Sequence, residues 1–273
     1  MTLQLRYAAV SDRGLLRDGN EDSVYAGPRL LAVADGMGGH AAGEVASAVA
    51  IAAVAPLDED VPGADLLDAL RDAAETANSR LREMVSADGT LDGMGTTLTA
   101  MLWAGSRIGV LHVGDSRAYL LRGGQLTQIT HDHTLVQTLV DEQRISADEA
   151  SSHPQRSLLT RALDGREGVD PDLSVREARP GDRYLLCTDG LSGVVSPQTM
   201  LETLQTEDRE QAARRLVELA LRGGGPDNIS VIVADVAEAG GRGGTEVLVG
   251  GAAATSPQTS ALPTGDSAAH RAA

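Results

Sequence analysis

The chain has 273 residues, 42% of them hydrophobic, yet only 2% are aromatic and none is phenylalanine. That length allows one large domain or two small ones, and the core has to be aliphatic, built from Leu, Val, Ile and Ala. A formal charge of −16 with no lysine argues against nucleic acid or anionic membrane as a partner, and the lone cysteine, Cys187, excludes an intramolecular disulfide.

Arg6, Asp12 and Arg13 interrupt the N-terminal apolar stretch, so no leader segment is expected. The longest run of small apolar residues, VASAVAIAAVA from Val45, is about half a membrane span. A cytoplasmic protein with no membrane insertion by this chain is expected, acting as a monomer.

LQLRYAAVSD, from Leu3, predicts a strand, followed by a turn-rich link, a short SVYAG strand and a clear RLLAVAD strand. A small-residue helix is predicted over 41–55, closed by Pro56. Leu66, Leu70, Ala73, Ala77, Leu81 and Met84 then recur at helical spacing and predict an amphipathic helix with one core stripe. TTLTAMLWAG, RIGVLHVG, RAYLLRGG and QLTQIT read as short strands, with Gly105, Gly123 and Gly124 at the turns. The stretch from His131 to His153 is polar, charged and short-helical, a surface excursion between strand blocks.

Strands resume with DLSVREA and DRYLLCTD, two helices fit Pro197–Gln205 and Asp208–Arg222, and NISVIVADVA is a final strand. This order is not a βαβ alternation. It predicts an α+β fold, an antiparallel β-sandwich flanked by paired α-helices on both sides, in one domain over residues 1–237. Residues 238–273 are rich in Gly, Ala, Ser, Thr and Pro and are expected to form a disordered tail.

Four Asp residues stand at the ends of apolar runs: LLAVADGMGGH at Asp35, IGVLHVGDSR at Asp115, RYLLCTDGLS at Asp189 and GGPDNISVIVAD at Asp227. Strand tips can deliver several carboxylates to one cleft, where they repel unless a cation lies between them. All-oxygen ligands suit Mg2+ or Mn2+, which predicts a metal-dependent hydrolase. Cys187 lies in an apolar run with no C-x5-R phosphate loop around it, so it reads as a buried hydrophobe. His112, inside an apolar strand, reads as a core histidine, and His131, His133 and His153 have no zinc-site spacing.

RDGNED (17–22), DGMGGH (35–40), GMGTT (93–97), GDSR (114–117), TDGL (188–191) and GGPDNIS (224–230) occur in this order over most of the chain. Together they resemble the metal-dependent (type 2C) Ser/Thr protein phosphatases, in their bacterial branch. The resemblance implies hydrolysis of phosphoserine and phosphothreonine on proteins by a bridging water activated by two Mn2+ or Mg2+ ions, without a phosphoenzyme. It implies that Asp35 bridges the two metals, that the Gly36 carbonyl joins one of them, and that Asp189 and Asp227 are direct ligands, these three Asp being the catalytic ligand set. Glu21 and Asp22 would hold metal-bound waters, with Asn228 supporting Asp227. Asp115 would bind a possible third metal and Arg17 the phosphate.

The partners so implied are phosphorylated proteins and Ser/Thr kinases, and residues 131–157 correspond to the family's variable flap. Many eukaryotic members place a histidine directly after the first Asp-Gly. Met37 stands there in this chain, which leaves water, His40 or the substrate's surroundings as the source of the leaving-group proton. A phosphatase dedicated to one regulator, an inactive phosphoprotein-binding module and an unrelated Asp-rich phosphohydrolase or nuclease are the competing readings.

Overall fold

A computed structural model describes residues 3–38, 42–59, 65–205, 208–238 and 246–262. Strands β1 (Leu3–Asp12), β2 (Asp22–Ala26) and β3 (Leu30–Met37) precede helices α1 (Ala42–Val54) and α2 (Leu66–Ala87). Next come β4 (Gly95–Thr96), β5 (Leu98–Ala104), β6 (Arg107–Val113), β7 (Arg117–Arg122) and β8 (Gln125–Gln128), then two short helices, α3 (Leu135–Asp141) and α4 (Ala147–Ser151). β9 (Asp172–Glu177) and β10 (Arg183–Cys187) lead into α5 (Asp189–Ser192), α6 (Pro197–Leu204) and α7 (Arg209–Arg222), followed by β11 (Ile229–Glu238) and β12 (Leu248–Gly251).

Two antiparallel sheets form the sandwich, in the orders β1-β11-β10-β7-β8 and β12-β2-β3-β5-β6-β9, with β4 paired to β3. The two-residue side-chain period divides each central strand between two cores. Leu31 and Val33 of β3 face the opposite sheet, whereas Leu30, Ala32 and Ala34 face α1 and α2. In β11, Ile232 and Ala234 enter the inter-sheet core, and Val231 and Val233 pack under α6 and α7. Trp103 and Tyr184 meet edge to face across the sheets, with ring centroids 5.7 Å apart. The α+β sandwich flanked by helix pairs is therefore the observed architecture.

The helices form where local chemistry favours them. Asp65 caps α2 by accepting from the Leu67 and Asp68 N–H groups, and its buried stripe runs through Leu70, Ala73, Ala77 and Leu81. Burial of each such leucine contributes about 2 kcal/mol. Ser196 caps α6 with Pro197 in its first turn, and Asp208 caps α7, which stops at Gly223. Among the described residues no helix is long and apolar enough to cross a membrane.

The structure corrects the expectation of a disordered tail at Glu238 and over 246–262. Glu238 ends β11, and residues 246–262 are ordered against the sandwich. Composition counts few large apolar residues there, but Val249 joins the core beneath α1 and Leu248 packs against the inter-sheet core. The edge of β2 supplies a backbone partner, with Leu248 opposite Ala26 and Gly251 opposite Ser23. Residues 239–245 and 263–273 of the predicted tail lie outside the described residues.

Candidate active site

The predicted acidic residues converge at one end of the sandwich, each set by a different element. Asp35 lies on β3 directly opposite Asp22 on β2. Its backbone is gripped from the β4–β5 side: the Asp35 N–H donates to Thr97 Oγ1 at 2.9 Å, and its carbonyl accepts from the Thr97 N–H and Thr96 Oγ1, each at 2.9 Å. Thr97 Oγ1 in turn lies 2.8 Å from Ser116 Oγ, one residue beyond Asp115. Gly36 is required by close approach, since a Cβ there would lie 2.0 Å from the Gly43 carbonyl oxygen of α1.

Asp189 does not sit in a simple strand-end turn. It opens the short helix α5, with Thr188 at the N-cap. Thr188 Oγ1 donates to Asp22 Oδ2 at 2.8 Å and accepts from the Ser230 N–H at 3.0 Å, which ties β10, β2 and β11 together under the site. Asp227 precedes β11, and its Oδ1 accepts from the Asn228 N–H at 2.8 Å. Arg17, its side chain half exposed at the rim, places Nη2 2.6 Å from Asp227 Oδ2.

Electrostatics shows how closely these groups are gathered. Burial, and then the charges of Asp22, Asp189, Asp115 and Asp227, push Asp35 well above the usual carboxylate range. Burial first and Asp189 and Asp227 after it push Asp22 up to about 7, against the hydrogen bonds of Thr188 and Ser230. Burial and the charge of Asp189 likewise push Asp115 up to about 7. Asp189 is raised by burial and by the charge of Asp227. Burial also lifts Glu21, against the pull of Arg17.

Asp22 Oδ1 and Asp189 Oδ1 are buried with no hydrogen-bond partner. Orphaned acceptors beside mutually repelling carboxylates are costly, and a hard cation would satisfy both at once. Among the described residues no three His, Cys, Asp or Glu side chains close on a single point as a ready cage. Mg2+-like ions keep several waters and take few protein ligands each, so a cleft lined by dispersed carboxylates fits them. The donor set present is compatible with the predicted metals.

Other predicted residues fall into place differently. Asn228 touches Asp227 through its backbone, while its side chain is spent on the loop that carries Arg17. Its Oδ1 accepts from the Glu21 N–H at 2.7 Å, and its Nδ2 donates to the carbonyls of Arg13 and Gly19 at 2.8 and 2.9 Å. Cys187 and His112 are buried, as the apolar pattern predicted, and burial pushes His112 down to about 4. His40 lies outside the described residues.

Sequence reasoning missed what fastens the start of the polar excursion at His131. Arg117 of the GDSR motif makes a two-pronged pair with buried Asp132, at 2.6 to 3.0 Å. His133 brackets the residue before Asp115: its N–H donates to the Gly114 carbonyl at 2.8 Å, and its Nδ1 accepts from the Gly114 N–H at 3.1 Å. The only sequence signal was the Asp between two histidines at the start of the polar excursion, and nothing local named its partner.

A carboxylate cluster at the end of a helix-flanked antiparallel sandwich defines a class. The chain belongs to the protein phosphatase 2C family, whose model matches residues 14–223. It is 61% identical over 263 residues to the serine/threonine protein phosphatase PstP of Mycobacterium tuberculosis, a match that covers 96% of this chain and 51% of that protein. The chain thus spans about half the length of these mycobacterial relatives. It is 36% identical over 238 residues to the serine/threonine phosphatase stp of Listeria monocytogenes, covering 82% of this chain and 93% of that protein.

The crystal structure of the M. tuberculosis serine/threonine phosphatase PstP superimposes with a TM-score of 0.83 at 65% identity, covering 85% of this chain and 98% of that one. The PstP catalytic domain in complex with two manganese ions also gives 0.83, at 62% identity, covering 87% and 100%.

Proposed function

We propose that this chain is a metal-dependent protein serine/threonine phosphatase that hydrolyses phosphoserine and phosphothreonine on proteins, opposing bacterial Ser/Thr kinases. The observation that carries the reading is the gathering of Asp22, Asp115, Asp189 and Asp227 around buried Asp35, with two orphaned buried oxygens among them. Asp35, Asp189, Asp227 and the Gly36 carbonyl would hold two Mn2+ or Mg2+ ions, and Asp115 a third. Glu21 and Asp22 would order the waters around them. Bound there, such ions would lower the pKa of a coordinated water and neutralise charge on the phosphoryl oxygens.

Arg17 binds and orients the phosphate, for which a planar guanidinium is suited. Its ion pair with Asp227 keeps it at the rim, ready to turn to an anion once Asp227 is engaged elsewhere. Met37 can neither give nor take a proton, so the leaving alkoxide draws its proton from another source. Residues 131–157, fastened at their base by Arg117 and Asp132, select among phosphoprotein substrates beside the site. Action in the cytoplasm as a monomer belongs to the same reading, and a single buried cysteine suits a reducing compartment.

The test is hydrolysis of p-nitrophenyl phosphate and of a phosphothreonine peptide with Mn2+, with EDTA, and by Asp189→Asn. Turnover that needs Mn2+ and is lost on both chelation and substitution is expected. A folded wild-type protein inert with both Mn2+ and Mg2+ would overturn the reading in favour of a phosphoprotein-binding module.

A further inference from the structure

Ser23 of β2 and Ser47 of α1 are both completely buried, with their hydroxyl oxygens 2.8 Å apart. At one end of the pair the Ala253 N–H donates to Ser23 Oγ at 3.0 Å. At the other end Ser47 Oγ donates to the Glu21 carbonyl at 2.5 Å. An amide N–H only donates and a carbonyl only accepts, so the protons of this chain run one way. Ala253 donates to Ser23, Ser23 to Ser47, and Ser47 to Glu21. The same Glu21 carbonyl accepts from the Gly36 N–H at 3.2 Å. The C-terminal segment therefore reaches the backbone of the residues that adjoin Asp22 and Asp35.

The seat of that segment is equally specific. Gly251 has φ +66, and a Cβ there would lie 2.1 Å from the Asp22 carbonyl oxygen and 3.1 Å from Ser11 Oγ. Only glycine lets the strand lie directly on the Asp22 peptide. Val249 and Ala253 anchor it in the core shared with β3, α1 and α2, and the Tyr7 hydroxyl donates to the Glu246 carbonyl at 2.6 Å. Thr259 Oγ1 donates back to the Ser256 carbonyl at 3.0 Å and to that of Ala253, closing the turn that presents the Ala253 N–H.

We propose that residues 246–262 are a working part of the metal site: a strap seated on β2 that, through Ser23 and Ser47, holds Glu21–Asp22 and Asp35–Gly36 in register for divalent metal. Ser23, Ser47 and Gly251 are positioning residues, since none of them contacts the reacting groups. The inference rests on the metal-centre reading above. A buried hydroxyl relay suits this task because each lost link leaves a donor or acceptor unpaired inside the protein, so the arrangement is all-or-none.

Mn2+ binding to the full chain, followed by isothermal titration calorimetry, tests it in wild type, Ser47→Ala, Gly251→Val and Leu204→Ala. Leu204 is buried in the core under α6 and serves as a control for general destabilisation. Ser47→Ala and Gly251→Val are expected to bind Mn2+ about tenfold more weakly, with kcat at saturating Mn2+ within about twofold of wild type. Leu204→Ala is expected to melt earlier yet bind Mn2+ as wild type does. Should Ser47→Ala fail to fold, Gly251→Val at the sheet edge decides. Unchanged Mn2+ affinity in the folded variants, or equal weakening in Leu204→Ala, overturns the strap's role and leaves the metal centre standing. A wild-type chain that binds no Mn2+ overturns both.

Discussion

Asp22 and Asp35 face each other directly across the antiparallel pair β2 and β3, and both are held above the ordinary carboxylate range, Asp22 at about 7. The folded metal-free protein therefore binds more protons than the unfolded chain between the unfolded value near 4 and about 7. Stability falls with rising pH wherever the native state holds the extra protons. It is fully present below the unfolded pKa and lost as pH rises through the folded one. EDTA-treated protein is expected to melt on the order of 5 °C higher at pH 5 than at pH 8, and Mn2+ to remove most of that difference. Thermal melts at both pH values, with and without Mn2+, check this; a metal-free protein more stable at pH 8 would contradict it.

Asp189 has a buried, partnerless Oδ1 and lies close to the carboxylates of Asp35 and Asp227. Replacing it by asparagine removes one of the repelling charges while keeping the shape. Asp189→Asn is expected to lose at least about 10³-fold in kcat/KM and yet to raise the melting temperature of the metal-free protein at pH 8. Opposite signs for activity and stability mark a group retained for function rather than folding. A metal-free Asp189→Asn protein that melts below wild type at pH 8 would contradict the repulsion argument.

Arg17 is paired with Asp227 by a single short contact at 2.6 Å. Arg17→Ala is expected to raise KM for a phosphothreonine peptide about tenfold, and Arg17→Lys to recover only part of the loss, since an ammonium cannot grip two oxygens in one plane. Steady-state kinetics at saturating Mn2+ measures both, and full recovery by lysine would show that charge alone matters.

Asn228 makes three side-chain hydrogen bonds to the backbone of residues 13, 19 and 21 while only 5% exposed. Asn228→Ala is expected to cost about 2–3 kcal/mol, because a buried N–H and two carbonyls lose their partner. The loop from Arg13 to Glu21 should then become sensitive to limited proteolysis. A loss of activity with unchanged melting and unchanged protease resistance would point to direct catalysis instead.

Asp132 is buried under Arg117, which is 29% exposed, and Gln128 Nε2 also donates to it at 2.9 Å. Arg117→Ala is expected to destabilise by about 3 kcal/mol, and the double variant with Asp132→Ala by clearly less than the sum of the single ones. Denaturant melts of the three variants measure the coupling; strict additivity would mean that the pair does not fasten the flap.

The elements were legible wherever the information is local. The stripe of α2, the caps Asp65, Ser196 and Asp208, and the stop at Gly223 each act within one or two turns of chain. The Asp-bearing motifs could be read because each carboxylate follows or precedes its own strand. The strap was misread because Leu248 and Val249 find their partners more than 200 residues earlier, on β2, and composition carries no record of a free sheet edge. Asn228 with the Arg17 loop was invisible for the same reason, its partners lying more than 200 residues away, whereas Arg117 and Asp132 flank the local β7–β8 hairpin and were missed because neither residue's own motif names the other.

The sequence by itself determined which residues could ligate a metal, which apolar runs adjoin them, and that the core would be aliphatic. Only the tertiary structure decided that Asp22, Asp35, Asp115 and Asp189 share one buried cleft, with their protons held back by burial and by one another. The division follows from range: propensity, capping and periodicity act along a few residues of chain, whereas a carboxylate's pKa depends on the solvent and charges around it, set by residues far apart in sequence.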